Sequence, residues 1–491
     1  ADGPDSARAE LLERIRRLER ASRGLEPGAT ARKRLRGAVV ASGERYLRGI
    51  AGQRSYVERD DPGVGLLRRP ISAKGIGIDE AVALIEHEVV QPGGHPASPG
   101  HLAYIPGGGI YHSALADYLA AVTNKYAGIF FTGPGPVRME NQLVRWTADL
   151  VGYPATAGGH IASGGSLANL AAVTAARDAH GLRGADYAGA VVYLTSQAHH
   201  SVHKALRIAG MGEAPIRHVA TDDRHRMRPD ALRQAIEADR AAGLRPWMVV
   251  AAAGTTDAGA VDPLEEIGQI AQGAGCWYHV DAAYGGFFLL TEHGRALLKG
   301  IERSDSVVLD PHKGLFLPYG CGIVVVRDGA ALAESHGYTG AYMQDAENAD
   351  VEVSPADVSP ELSKHFRALR MWLPLVLLGT EPFRAALDEK LLLARYFHDE
   401  VRALGFTVGG DPELSIVTFR WAPEGVSPER ADAVNQAVVD GVRRDGRVFL
   451  SSTQLDGRFT IRMAALAFRT HRRTIDLALR VLREQLAAAT A

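Results

Sequence analysis

"SVVLDPHKGLFLPYG", residues 306–320, sets an ammonium group between two apolar runs. Val307, Val308 and Leu309 read as a buried strand, and Leu315, Phe316 and Leu317 follow the lysine at once. Strands with no polar face belong to parallel sheets covered by helices on both sides. Lys313 then stands where a strand end meets a loop, the place where such sheets bind ligands. Two readings of it remain open. Its stem snorkels along apolar surface and keeps the charge in water, or the amine is desolvated, loses basicity and forms a Schiff base with an aldehyde. His312 beside it bonds a phosphate or caps the loop.

Working outward, apolar runs at 191–195, 217–220, 247–253, 277–282, 306–309 and 322–326 alternate with helical segments such as 229–242 and 263–272. That alternation indicates an α/β domain with a mostly parallel central sheet. Residues 1–100 read as helical and then loop-rich, with Leu11, Leu12, Ile15 and Leu18 at helical spacing. The basic stretch 32–36 fits a solvated helix face. Residues 335–360 are polar and weakly periodic, a long loop of the kind that serves function. A helix over 364–378, interrupted by Pro374, leads into a smaller α+β part with strands at 415–420 and 459–464. The expected division is 1–100, 101–370 with the loop at 335–360, and 371–491.

Bulk properties narrow the partners. The chain has 491 residues, 46% of them hydrophobic, and a formal charge of -2. Near-neutrality gives no sign of a nucleic-acid partner. Cys276 and Cys321 are the two cysteines, which fits a reducing compartment and no disulfide scaffold. The first twenty residues are charged and lack a signal-type apolar core, and no apolar stretch is long enough to span a bilayer. A cytoplasmic protein with no membrane partner is expected.

Further motifs fall at predicted strand ends. In "WYHVDAAYGG" (277–286), Asp281 is a satisfied structural carboxylate, or it keeps a pyridine nitrogen protonated so that the ring becomes an electron sink. Ala283, two residues on, is expected on the same strand face, small enough for a flat ring. In "ASGGSLANLAAV" (162–173), Gly164, Gly165 and Ser166 precede a helix, an ordinary turn or an anion site built from free N–H groups. "SQAHHSVHKAL" (196–206) crowds His199, His200 and His203. His199 and His203 have zinc-like spacing but no evident third ligand; capping, or stacking of an imidazole on a cofactor ring, are the other readings, and no metal is expected. Thr255 and Thr256 in "AAAGTTDAGAVDP" (251–263) make a turn or bond a ring substituent. Taken together, a phosphate anchor, a ring stack, a carboxylate for the ring nitrogen and a lysine are what pyridoxal phosphate (PLP) needs.

"QAHHSVHKAL", "AGTTDAGAVDP", "HVDAAYGG" and "DPHKGLFLPYGCG" resemble, in order and spacing, blocks of the PLP-dependent group II amino-acid decarboxylases, which include the aromatic-L-amino-acid enzymes. The resemblance runs from about His101 to Arg469. It implies fold type I, a homodimer assembled through the N-terminal segment, and active sites at the subunit interface. It gives Lys313 the Schiff base, His199 the ring stack, Asp281 the ring nitrogen and Ala283 the opposite ring face. It sets Gly165, Ser166, Asp310 and His312 around the phosphate and Thr256 near the ring substituents. Tyr342, with Tyr338 as the alternative, is the loop tyrosine that protonates Cα. Tyr104 and Arg462 resemble substrate-binding residues. The implied reaction is α-decarboxylation of an L-amino acid, aromatic at the family level, to an amine. Other PLP chemistry, oxidative deamination to an aldehyde, transamination or side-chain lyase activity, is the alternative, and a non-catalytic PLP-binding scaffold is a further one. Gly314 departs from the aromatic-acid enzymes, which usually have tryptophan there, and leaves the substrate open.

Overall fold

The computed structural model describes residues 4–337 and 352–491. They fall into two compact units, one of residues up to 53 with 57–93, the other of 54–56 with 94–491. The first unit contains two long helices, α1 (Pro4–Ser22) and α2 (Ala29–Gly49). Leu11, Leu12, Ile15 and Leu18 do lie on a helix, but all four side chains are exposed.

The second unit is built on a seven-stranded sheet. Its strands are β1 (Gly158–Ala162), β2 (Ala190–Leu194), β3 (Ile216–His218), β4 (Arg245–Ala252), β5 (Trp277–Asp281), β6 (Ser306–Leu309) and β7 (Gly322–Val326). The spatial order is β1-β7-β6-β5-β4-β2-β3. Strands β3, β2, β4, β5 and β6 pair in parallel. β7 runs antiparallel to both neighbours, β6 and β1. The sheet is therefore mostly parallel, with one reversed strand. β1 is a strand the apolar runs did not predict, because its sequence GGHIA holds two glycines and a histidine.

Both faces of the sheet are buried, which is why its strands lack a polar side. Val191, Tyr193, Val249, Ala251, Val307 and Leu309 enter one core. Val192, Leu194, Met248, Val250 and Val308 enter the other. The alternation follows from the two-residue side-chain period of a strand. Helices α3 (Gly165–Ala179), α4 (His200–Ile208), α5 (Pro229–Ala241) and α6 (Leu264–Gly273) make the crossovers between parallel strands. The link from β6 to β7 contains only the single turn α7 (Pro311–Gly314). It holds no helix long enough to cover the sheet as a crossover does; the chain comes back antiparallel, and the lysine turn stays at the strand ends.

The helix expected from 364 begins later, as α8 (Ala368–Leu378). Lys364 is instead drawn into a fully buried ion pair with Glu140 at 2.6 Å, and Arg367 reaches the Ile161 carbonyl at 3.3 Å. Pro374 does not interrupt the helix. It removes the N–H that would bond the Arg370 carbonyl, and the Ser113 hydroxyl donates to that carbonyl at 2.9 Å in its place. The four-stranded C-terminal sheet holds β8 (Thr407–Val408), β9 (Ile416–Arg420), β10 (Ser451–Leu455) and β11 (Arg458–Ala464), all antiparallel, in the order β8-β9-β11-β10. The predicted strands β9 and β11 are present; β8 is too short, and β10 too polar, to show in the sequence. Among the described residues no helix is long and apolar enough to cross a membrane.

Burial lowers His101 to about 4 and His279 to about 4, from an ordinary value near 6.5. The unfolded chain therefore binds protons between pH 6.5 and 4 that the folded chain refuses, and stability is lost as pH falls through that window. Each histidine contributes a slope of up to ~1.4 kcal/mol per pH unit. Urea unfolding from pH 7 to 5 should show this decline, and His101→Gln should flatten it by about one proton.

Candidate active site

Parallel strands end at one edge of the sheet, so the loops after β1, β2, β4, β5 and β6 gather there around a cavity of about 370 Å³. Lys313 lines it from α7. Its Nζ lies 3.2 Å from Asp310 Oδ2. Asp310 is 2% exposed, and its Oδ1 has no hydrogen-bond partner among the described residues. His312 Nδ1 donates to the Cys321 carbonyl at 2.6 Å, and its Nε2 is 3.5 Å from Asp310. Burial lowers the His312 pKa, with Asp310 opposing.

Asp281 ends β5 at the cavity floor. Its Oδ1 accepts the Ala283 N–H at 3.1 Å, and its Oδ2 accepts Asn169 Nδ2 at 3.1 Å. Ala283 lies past the end of β5 rather than on the strand face; its N–H bond to Asp281 is what holds it at the cavity. Gly165 opens α3, whose start no side chain caps. The first returning bond is from the Ala168 N–H to the Gly164 carbonyl at 3.1 Å, and Gly165, Ser166 and Leu167 line the cavity ahead of it. A Cβ on Gly165 would stand 3.0 Å from Asp310 Oδ2, so a side chain there would press on the carboxylate of the lysine turn.

His199 is the N-cap of α4, with Nδ1 accepting the Ser201 N–H at 3.3 Å. Burial lowers its pKa, with Asp281 opposing. His200 and His203 are outside the cavity wall, and His203 stacks on His218 with ring centroids 5.8 Å apart. Of the two threonines, Thr255 is spent on its own turn, its Oγ1 accepting the Ala260 N–H at 3.1 Å. Thr256 is a half-buried part of the wall. Burial raises Asp262, another wall residue, to about 6, against N–H bonds from Met227 and Ala252.

The cavity thus gathers Lys313, His312, Asp310, Asp281, Ala283, His199, Thr256, Gly165 and Ser166. It does not take in Tyr104 or Arg462. Tyr104 is 62% exposed and packs edge-on against Phe449. Arg462 is buried, its Nη1 on Ser451 Oγ at 3.0 Å and its Nη2 on the Tyr104 carbonyl at 3.4 Å. Tyr342 and Tyr338 lie outside the described residues. The sequence reading missed Asn169 and Tyr284, both in the wall. Asn169 sits among alanines and leucines within a helix and gives no local signal; Tyr284 adjoins the motif that was read.

Residues 78–422 match the profile of the Pyridoxal-dependent decarboxylase conserved domain. The chain belongs to that family. Among its relatives, an aromatic-L-amino-acid decarboxylase of Bacillus atrophaeus is 35% identical, over 82% of this chain and 84% of the relative. An L-2,4-diaminobutyrate decarboxylase of Acinetobacter baumannii is 31% identical, over 81% of each. The crystal structure of Oryza sativa TDC with PLP and tryptamine has a TM-score of 0.89 at 25% identity, over 95% of this chain and 99% of that one. The protein is a PLP-dependent amino-acid decarboxylase of fold type I.

The cavity fits that cofactor on its own chemistry. An uncapped helix start behind a glycine suits a phosphate, a primary amine suits an aldehyde, and a carboxylate at the floor suits a ring nitrogen. Gly314 also has a local cause: a Cβ there would lie 2.7 Å from Phe287 Cβ, and Phe287 is fully buried against Trp146. Gly314→Trp should destabilise the chain by about 3 kcal/mol through overpacking. With Phe287→Gly in the same chain, which removes that Cβ, the combined loss in urea unfolding should fall short of the sum of the single losses by more than ~1 kcal/mol.

Proposed function

We propose that the protein removes the α-carboxylate of an aromatic L-amino acid, acting as a cytoplasmic homodimer. The observation that carries the chemistry is the convergence of Lys313, Asp281 and the start of α3 on one cavity. The aromatic side chain is inferred from the relative in Bacillus atrophaeus, and the dimer from the family together with the exposed leucines of α1. Bound PLP supplies an electron sink for the pair left behind when carbon dioxide departs. Lys313 would be the residue that holds the cofactor covalently, its amine being the one primary amine in the cavity wall among the described residues. Asp281 keeps the proton on the ring nitrogen, which stabilises charge in the transition state.

His199 would stack on the ring, Ala283 would support its other face, and Thr256 would bond a ring substituent. Gly165, Ser166 and His312 would hold the phosphate. Asp310 acts on the lysine rather than on the phosphate: its carboxylate is already 3.2 Å from Nζ, and two anions repel. Tyr342 returns the proton to Cα. Arg462 and Tyr104 lie outside the cavity wall and are joined through the Tyr104 carbonyl; a substrate-binding role for them rests on the family resemblance alone.

A second reading, an acidic substrate, is favoured by Arg462. The guanidinium is 3% exposed, no carboxylate pairs with it among the described residues, and its Nε has no partner. Leaving a buried cation unpaired is costly, so an incoming carboxylate would gain from it.

Incubating the PLP-loaded protein with each L-amino acid and measuring carbon dioxide and amine decides between the two. Aromatic acids should give the highest kcat/KM; preference for glutamate- or aspartate-like acids would support the Arg462 reading instead. Lys313→Ala should abolish the visible absorption band of the bound cofactor. Tyr342→Phe should shift product from amine toward aldehyde.

A further inference from the structure

Behind the cavity floor lies a chain of buried side chains whose hydrogens have a single consistent arrangement. Asp281 is an acceptor, so the amide nitrogen of Asn169 must face it, at 3.1 Å. The second hydrogen of that nitrogen goes to Ser201 Oγ at 2.9 Å. Ser201 then gives its own hydrogen to His199 Nδ1 at 2.7 Å. The Ser201 backbone N–H, which can only donate, points to the same nitrogen at 3.3 Å.

On its other side, Asn169 Oδ1 can only accept, and it takes the hydrogen of His279 Nε2 at 2.9 Å. The far end is closed by Trp277, whose indole nitrogen donates to Ser306 Oγ at 2.8 Å. Burial keeps His279 neutral, and with its hydrogen on Nε2 its Nδ1 is bare, so Ser306 donates to that nitrogen at 2.8 Å. A donor-only indole at one end and an acceptor carboxylate at the other leave no rotor free between them.

We infer that Asn169 is a positioning residue that sets Asp281 and His199 together: one amide fixes the plane of the carboxylate and the tautomer of the stacking imidazole. His199 is held with hydrogen on Nε2 and none on Nδ1, so it offers a donor edge to whatever occupies the cavity. Asp281, gripped through Oδ2 by Asn169 and through Oδ1 by the Ala283 N–H, cannot turn away from the cavity. Burial lowers the pKa of both histidines, which keeps the chain in its neutral pattern. An amide cannot pass a proton on, so Asn169 also separates Asp281 from His279. The assignment to catalysis rests on the PLP reading of the cavity; the hydrogen arrangement itself does not.

The test uses the full chain labelled with 15N-histidine, first without PLP. Signals are assigned by their loss in His199→Gln and His279→Gln. Long-range 1H–15N spectra at pH 7.5 should show hydrogen on Nε2 of both His199 and His279. Hydrogen on Nδ1 of either would overturn the inference. In Asn169→Ala, His199 should populate both tautomers; in the equal-sized Asn169→Asp, which lacks both N–H donors, it should do the same and His279 should gain a second proton. Unchanged histidine signals in a variant with a wild-type melting curve would also overturn it.

PLP titration then follows the visible band. Both Asn169 variants should bind PLP at least ~10-fold more weakly, in line with the loss of outer hydrogen bonds that orient a site, and wild-type affinity in both would reject the positioning role. Absence of a Lys313-dependent band in the wild-type chain would instead reject the PLP reading, while the apo spectra still decide the tautomers.

Discussion

A carboxylate at the end of a strand buried on both faces constrains everything near it. Asp281 stands half-buried where β5 leaves the sheet, in the wall of the cavity. Its two oxygens are matched to N–H donors from Ala283 and Asn169, and a carboxylate drawn out of water needs such partners. The donors come from different elements, the turn after β5 and helix α3. Satisfying Asp281 therefore fixes where α3 lies against the sheet, and with it the glycine-bearing helix start and the wall of the cavity.

The lysine turn obeys a second constraint, that of chain connection. β6 and β7 are joined by a link whose only helix is the single turn at 311–314, and β7 runs antiparallel to β6. The reversal keeps residues 310–313 at the same edge as the ends of the parallel strands. Asp310 supplies the anion that an ammonium in this setting requires, and α3 approaches closely enough that a Cβ at 165 would press on that carboxylate. Sheet topology, helix position and the ion pair Asp310–Lys313 are three views of one packing solution.

Much of this was legible in the primary structure, and for a physical reason. Strands covered on both faces must be apolar throughout, so five of the seven central strands stood out as apolar runs, while the polar edge strand β3 was met only by the run at 217–220. Residues at strand ends carry chemistry in short motifs, so Lys313, Asp281, His199 and the Gly164–Gly165 turn could be picked out and do meet. What escaped was held by partners far away in the chain. β1 is carried by its pairing with β7 rather than by its own composition. The start of α8 is set by the Lys364–Glu140 pair, 224 positions apart, and its passage through Pro374 by the hydroxyl of Ser113. Ala283 does line the cavity, although the turn and not the strand presents it.

The amino-acid sequence by itself determined the alternation of strands and helices, the cofactor chemistry and the family, because these depend on local periodicity and on motifs within a few residues. Only the tertiary structure decided that Asp310 faces the lysine, that Phe287 excludes a side chain at 314, and that Asn169 stands between Asp281, Ser201 and His279. Each of these depends on which distant groups share a volume of a few cubic ångströms, and hydrogen bonds and steric contact act only across such distances.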